Sequence, residues 1–350
     1  SAGAANASGA VPLHAAATQG HADVVDCLLA RGADPRAQDL AGVSALHRAA
    51  HGGHLKVLEL LLERKADADT RTRQGATPLH AAASAGQGEA AGLLLERGAS
   101  VEARANTGET PLHVAVQAGS ARVVALLLER GASAVASTGD GTTPLHVAAL
   151  EGNAEVLGLL LDKAPLPDVR GDMAWTPLHV AVHAGHKQAA ELLLSRGANA
   201  SAKDASGLGA LHVAAAAGHA ELAELLLRHG ASPGARSYQG ATPLHSAAAG
   251  GSRELVALLL ERGVHPGLRD ASGATAMELA GARGHSEAAA LLQERLAAAP
   301  PLPPEAHEAA AAWGPSAVGP PPPPPRSAGP AESFGRAAPA EPAAGDYYEQ

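Results

Sequence analysis

Apolar residues along this chain recur at helical spacing in short paired bursts. Between residues 108 and 131, Leu112, Ala115 and Val116 share one face and predict a short helix. Val123, Val124, Leu126, Leu127 and Leu128 predict a second. Gly108 permits a tight turn ahead of the pair, Thr110 is a good N-cap, and Pro111 suits the first helical position, where its missing N–H costs nothing. Gly119 separates the two helices and Gly131 fits the left-handed position after the second. The unit is therefore turn, helix, turn, helix, loop. Neither helix can bury its apolar face alone, so units must stack on one another.

The same unit repeats along most of the chain. VPLH at 11–14 returns as SALH, TPLH or GALH, ending at His47, His80, His113, His146, His179, His212 and His245, 33 residues apart each time. An alanine follows two residues after each of these histidines, small enough to let neighbouring helices approach closely. Glycine recurs at 20, 53, 86, 119, 152, 185, 218, 251 and 284, and a degenerate ninth copy places TAME at 275–278.

This period and the T-P-L-H-x-A pattern resemble the ankyrin repeat, over residues 6–297. The resemblance implies an all-α ankyrin-repeat solenoid of nine helix-turn-helix units, each with a β-turn finger, the first and last acting as caps. It also implies that the recurrent histidine hydrogen-bonds locally to brace the turn. Partner proteins are then expected on the finger edge and the concave inner-helix face. Residues 1–5 read as an N-terminal remnant. Residues 298–350, rich in Pro, Ala and Gly, cannot bury enough surface to offset chain entropy and predict a disordered tail.

Several positions break the pattern. Lys65 and Ala164 stand in the column of Gly98, Gly131 and Gly197, where a left-handed non-glycine costs roughly 1–2 kcal/mol, so both loops are expected to rearrange. The segment APLPDVRGDMAW at 164–175 adds two prolines and puts Ala174 at the finger glycine. The ninth copy loses Pro-Leu-His and ends more polar, as a solvent-facing cap should. The first copy keeps only part of the pattern before Val11.

Composition narrows the function. Six aromatics among 350 residues exclude a large aromatic core and suit many thin aliphatic layers. The net charge of −9 argues against a nucleic-acid binder. No long apolar run predicts membrane insertion, and no basic and apolar leader opens the chain. Ser1 in place of an initiator Met means either that Met was removed or that the sequence is a piece of a longer chain. Cys27, the one cysteine, excludes an internal disulfide and points to a reducing, cytoplasmic setting, with the nucleus as a second possibility. It occupies the column of Leu60, Leu126 and Leu192 and is expected in the core.

No catalytic, cofactor or metal site is expected. No serine stands in a strained elbow and no phosphate loop follows a strand. His179, His183, His186 and His47, His51, His54 tempt a metal reading, but equivalent histidines of stacked repeats lie about 8–10 Å apart, as packed helices do. Function is expected instead at large residues that the repeat does not require. Met173 and Trp175 sit on the sixth finger, Leu208 on the seventh and Tyr238 on the eighth. Trp175 is either an exposed anchor or a side chain packed against the irregular 164–172 loop. Leu150 and His183 add bulk to the inner-helix column, which turns small at Ala216, Ala217, Ala249 and Gly250. Arg71, Arg104, Arg170, Lys203, Arg236 and Arg269 form a basic column before the fingers, either a stripe that steers an acidic partner or an ordinary solvated edge. In the tail, Pro321, Pro324 and Arg326 match a ligand for proline-binding modules, and Tyr347 and Tyr348 stand in an acidic context for phosphorylation.

These features predict a monomeric scaffold or adaptor that binds other proteins. The alternatives are a regulatory or substrate-recruiting segment of a larger enzyme or ubiquitin-ligase subunit, and an elastic spacer.

Overall fold

In the computed structural model, residues 4–164 and 166–301 are described. They fall into two compact units, 4–118 and 119–301. The expected helix pairs form in both. The first unit holds α1 (Pro12–Thr18), α2 (Ala22–Ala30), α3 (Ala45–Gly52), α4 (Leu55–Glu63), α5 (Pro78–Ser84), α6 (Gly88–Glu96) and α7 (Pro111–Gln117). The second holds α8 (Ala121–Glu129), α9 (Pro144–Glu151), α10 (Ala154–Lys163), α11 (Pro177–His183), α12 (Lys187–Ser195), α13 (Ala210–Ala217), α14 (Ala220–Arg228), α15 (Pro243–Gly250), α16 (Arg253–Glu261), α17 (Ala276–Ala282) and α18 (Ser286–Ala298). A single 3-10 turn covers Asp172–Ala174.

Inner helices stack on inner helices and outer on outer. In the first unit α1, α3, α5 and α7 form one layer and α2, α4 and α6 the other; in the second, α9 to α17 and α8 to α18 do the same by alternate number. The layers are dry. Leu79, Ala82, Leu94, Leu145, Ala148, Leu157 and Leu160 are all 0% exposed. The stacking therefore buries the two short apolar faces that neither helix could bury alone.

The recurrent histidine is the polar tie of this stack. His80 Nδ1 accepts from the Thr77 N–H at 3.1 Å, and His80 Nε2 faces the carbonyl of Glu109 in the next finger at 3.2 Å. A carbonyl only accepts, so Nε2 carries the proton and Nδ1 is the acceptor. His47 pairs in the same way with Ser44 and Ala76, and His212 with Gly209 and Ala241. One neutral imidazole thus satisfies a helix N-terminus in its own repeat and a turn carbonyl in the next. The ninth repeat confirms this division of labour by its substitution. Glu278 replaces the histidine and accepts from the Thr275 N–H at 2.7 Å, as Nδ1 does elsewhere. A carboxylate supplies no donor, and no tenth finger follows among the described residues to need one.

A second histidine class reaches backwards. His186 Nε2 donates to the Leu150 carbonyl at 2.9 Å, and its ring lies over Gly152. A Cβ on Gly152 would meet His186 Nδ1 at 2.5 Å, in a backbone already at φ 69°. That column needs glycine for two separate reasons.

One of the two loop expectations changes here and the other holds. The Lys65 loop does not rearrange: Lys65 takes the glycine conformation, φ 64°, because its N–H and that of Ala66 keep the standard helix-ending bonds to Leu62 and Leu61. Ala164 does rearrange, turning extended at φ −101°, ψ 112°. Met173 and Ala174 both sit at positive φ, 51° and 58°, so the sixth finger makes its left-handed turn at residues other than glycine. Lys65→Gly and Ala174→Gly are each expected to stabilise the chain by roughly 0.5–1 kcal/mol, the left-handed penalty less the added backbone entropy of glycine. Paired urea titrations of the two variants check this, and a lower midpoint for either contradicts it.

Cys27 is a correction. It is exposed, not in the core. Its column is only half-buried in the later repeats, as at Leu60, Leu126 and Leu192, so it is not a core column.

Candidate protein-interaction surface

Successive fingers of the second unit are joined edge to edge by backbone. The Ala205 N–H donates to the Met173 carbonyl, that of Tyr238 to Ser206 and that of Ala271 to Gln239, at 2.8–3.0 Å. Within the fingers, Asp204 and Asp270 are buried and accept two backbone N–H bonds apiece, which fixes each turn. The loops that carry the candidate residues are thus held on a hydrogen-bonded ladder.

The basic column has a structural use that the sequence reading did not foresee. Arg170 Nη1 donates to the Lys203 carbonyl, Lys203 Nζ to Arg236 and Arg236 Nη1 to Arg269, at 2.7–3.1 Å. In the first unit Arg71 does the same to Arg104, and neutral Gln38 to Arg71. Glutamine serves in this role as well as arginine, although Ser137 stands in the same column with a short side chain. These residues clamp one repeat to the next.

The hydrophobic candidates separate into exposed and buried. Met173 is 44% and Tyr238 46% exposed. The Tyr238 ring is held: it lies against Gly207, where a Cβ would meet ring carbons at 2.8 Å, and Lys203 Nζ stands 5.8 Å from its centroid. Leu208 is half-buried between these two fingers in sequence, and the Arg170 side chain is exposed while Arg236 is half-buried. Leu150 and His183 are half-buried on the inner helices, followed by the small Ala216 and Ala249.

Trp175 is not an exposed anchor. It is 2% exposed, with its ring edge-on to His183 at 5.4 Å and tilted over His179 at 6.1 Å. Residues 175, 179 and 183 lie four apart, so the indole folds back along the face of α11. Its backbone carbonyl accepts from His146 Nε2 at 3.0 Å. Burial depresses the pKa of His183 and of His179, keeping both imidazoles neutral beneath the ring.

Leu40, on a finger of the first unit, is 57% exposed and shares a column with Tyr238. Pro321, Pro324, Arg326, Tyr347 and Tyr348 lie outside the described residues. Among the described residues no group of three or more His, Cys, Asp or Glu could hold a metal ion, and no helix is long and apolar enough to cross a membrane.

Comparison with known proteins agrees with this architecture. A family model described as "Ankyrin repeats (3 copies)" matches residues 13–105, 46–138, 101–170, 133–204, 166–237 and 211–300. A search of curated proteins gives no match. Among solved structures, the crystal structure of the human ASB11 ankyrin repeat domain is similar, at 31% identity and a TM-score of 0.59, covering 64% of this chain and 100% of that one.

Proposed function

Because the chain belongs to the ankyrin-repeat family, whose domains are protein–protein interaction modules and typically non-catalytic, we propose that it is a scaffold or adaptor holding partner proteins on the finger edge and inner-helix face of repeats five to eight. The observation that carries this reading is the pair of large exposed side chains on pre-ordered turns, Met173 and Tyr238. An aromatic already fixed in place loses little freedom on binding, and interface energy concentrates in such anchors. Leu208, Arg170 and Arg236 complete the finger edge, with Leu150 and His183 at the inner-helix side.

The test is affinity capture with the full chain and a Met173→Ala/Tyr238→Ala variant. Trp175 is left intact, since its burial makes it a stability residue. The double variant is expected to retain at least about tenfold less of the partners held by the unaltered chain. Equal recovery of the same proteins sinks the site assignment.

A further inference from the structure

One strained residue of the first unit has no structural reason to be what it is. The position that ends each outer helix is glycine at 32, 98, 131, 197, 230 and 263, every one at a φ of 83° to 89°. Lys65 takes the same left-handed backbone, φ 64°, which residues with a Cβ rarely adopt. Ala164, the other non-glycine in this column, escapes it by turning extended. The helix-ending bonds explain how Lys65 is held, but glycine would make the same bonds. Backbone strain of this kind clusters at ligand sites, and Lys65 stands in the wall of an open cleft.

That cleft has a volume of about 610 Å³, a size typical of ligand sites. It lies among the loops that follow α2, α4 and α6, and its charged lining is Arg36, Lys65, Asp67, Asp69 and Arg97. The two carboxylates are engaged by backbone. Asp67 accepts from the Asp69 N–H at 3.0 Å, and both Asp69 oxygens accept from the Ser100 N–H, at 2.9 and 3.2 Å. The cations are left over. Arg36 donates through Nε alone, to the Lys65 carbonyl at 3.0 Å, which holds its guanidinium beside Lys65. The Lys65 ammonium and the Arg97 guanidinium have no acceptor among the described residues. Arg64, one repeat earlier than Arg97, pairs with Asp26, but the counterpart of Asp26 for Arg97 is Glu59, which pairs with Lys56 instead.

We infer that this cleft binds the phosphate group of a phosphorylated serine or threonine on a partner protein, with Lys65 from the middle loop and Arg36 and Arg97 from its neighbours. Three cations against two aspartates leave the wall positive. The three side chains offer about twelve unmet N–H donors, whereas a carboxylate has only about four lone-pair sites. A phosphate monoester brings three acceptor oxygens and up to about two negative charges, and the arginine forks match its geometry. The site uses none of the residues of the surface proposed on repeats five to eight.

The full chain is titrated with a capped alanine pentapeptide carrying a central phosphoserine, with its aspartate counterpart and with inorganic phosphate, following the backbone amide NMR signals. Saturable shifts centred on Arg36, Lys65 and Arg97 are expected with the phosphopeptide, at lower concentration than with either control. Lys65→Gly is expected to raise the urea midpoint yet weaken phosphopeptide binding at least about tenfold, opposite effects that a merely structural lysine would not give. Arg97→Gln is expected to weaken binding and Lys65→Arg to keep it. No saturable shift, shifts spread over surface cations generally, or a Lys65→Gly chain that binds as tightly as the unaltered one overturns the proposal. Equal affinity for the aspartate peptide overturns the phosphate assignment. Inorganic phosphate bound as tightly as the phosphopeptide overturns the partner, leaving a site for free phosphate.

Discussion

Acidification from pH 7.5 to pH 5 is expected to remove about 6 kcal/mol of folding stability, seen as a steep fall in the urea midpoint by far-UV circular dichroism. The cause is the histidine tie. Burial holds His47, His80 and His212 at a pKa of about 4, down from the usual 6.5. Geometry agrees with that direction, because a proton on Nδ1 would point at a backbone N–H that is already a donor. The folded pKa lies below the unfolded one, so between them the unfolded chain binds more protons. Stability is therefore complete above about pH 6.5 and drains away as pH falls toward 4. At pH 5 each of the three groups accounts for about 2 kcal/mol by proton linkage. His14, His146, His179 and His245 are lowered in the same direction, again first by burial, and steepen the slope. The carboxylates that gain from folding act lower on the scale: Glu278 and Asp140 are held below their usual values of 4.5 and 3.8. The window from pH 6.5 to 5 thus belongs to the histidines. Urea midpoints that agree at pH 7.5, 6 and 5 would show that the imidazoles are not desolvated as the fold requires.

The two compact units make that experiment more informative than a single midpoint. His47 and His80 lie in one and His212 in the other, so each unit should lose stability on acidification. Repeat arrays unfold through nearest-neighbour losses, and a signature histidine couples two neighbours. Protonation should therefore lower the cooperativity of unfolding along with the midpoint.

What was legible in the sequence is what local chemistry decides. The Thr-Pro start, the glycine stops and the paired apolar faces gave the helices, because each depends on residues within one turn of itself. The histidine's brace to its own turn was legible by resemblance; its second bond, to a carbonyl 29 residues on, follows only from the stack. Cys27 was misplaced because leucine at a position does not make it core: Leu60, Leu126 and Leu192 in the same column are only half-buried. The basic column was read as surface charge, whereas Gln38 in the same role shows that reach and a donor group are what matter. Lys65 holds its left-handed turn because the loop bonds outweigh a penalty of roughly 1–2 kcal/mol. Of the docking candidates, Met173 and Tyr238 are exposed, as bulk at a finger position leads one to expect, whereas Trp175 is buried because its ring packs along α11, which one repeat's sequence does not show.

Trp175→Ala is expected to destabilise the chain by about 3–5 kcal/mol, the cost of emptying a fully buried Trp site. The indole stands in the column held by Ala76 and Ala241 in other repeats, and it roofs His179 and His183. Removing it opens a cavity and also admits water to two imidazoles that burial keeps neutral, so the loss should spread to the His146 bond that Trp175 accepts at its carbonyl. The ring N–H and His183 Nδ1 have no hydrogen-bond partner among the described residues, so the aromatic volume carries the stabilisation and the indole nitrogen does not. Trp175→Phe, which keeps a ring and drops that nitrogen, should therefore cost only roughly 1 kcal/mol. Tyr238→Ala, at a half-exposed position, should lie within about 0.5 kcal/mol of the unaltered chain. Chemical denaturation of the three variants separates a core aromatic from a surface one. A Trp175→Ala chain as stable as Tyr238→Ala would return Trp175 to the surface and reopen its role as a binding anchor.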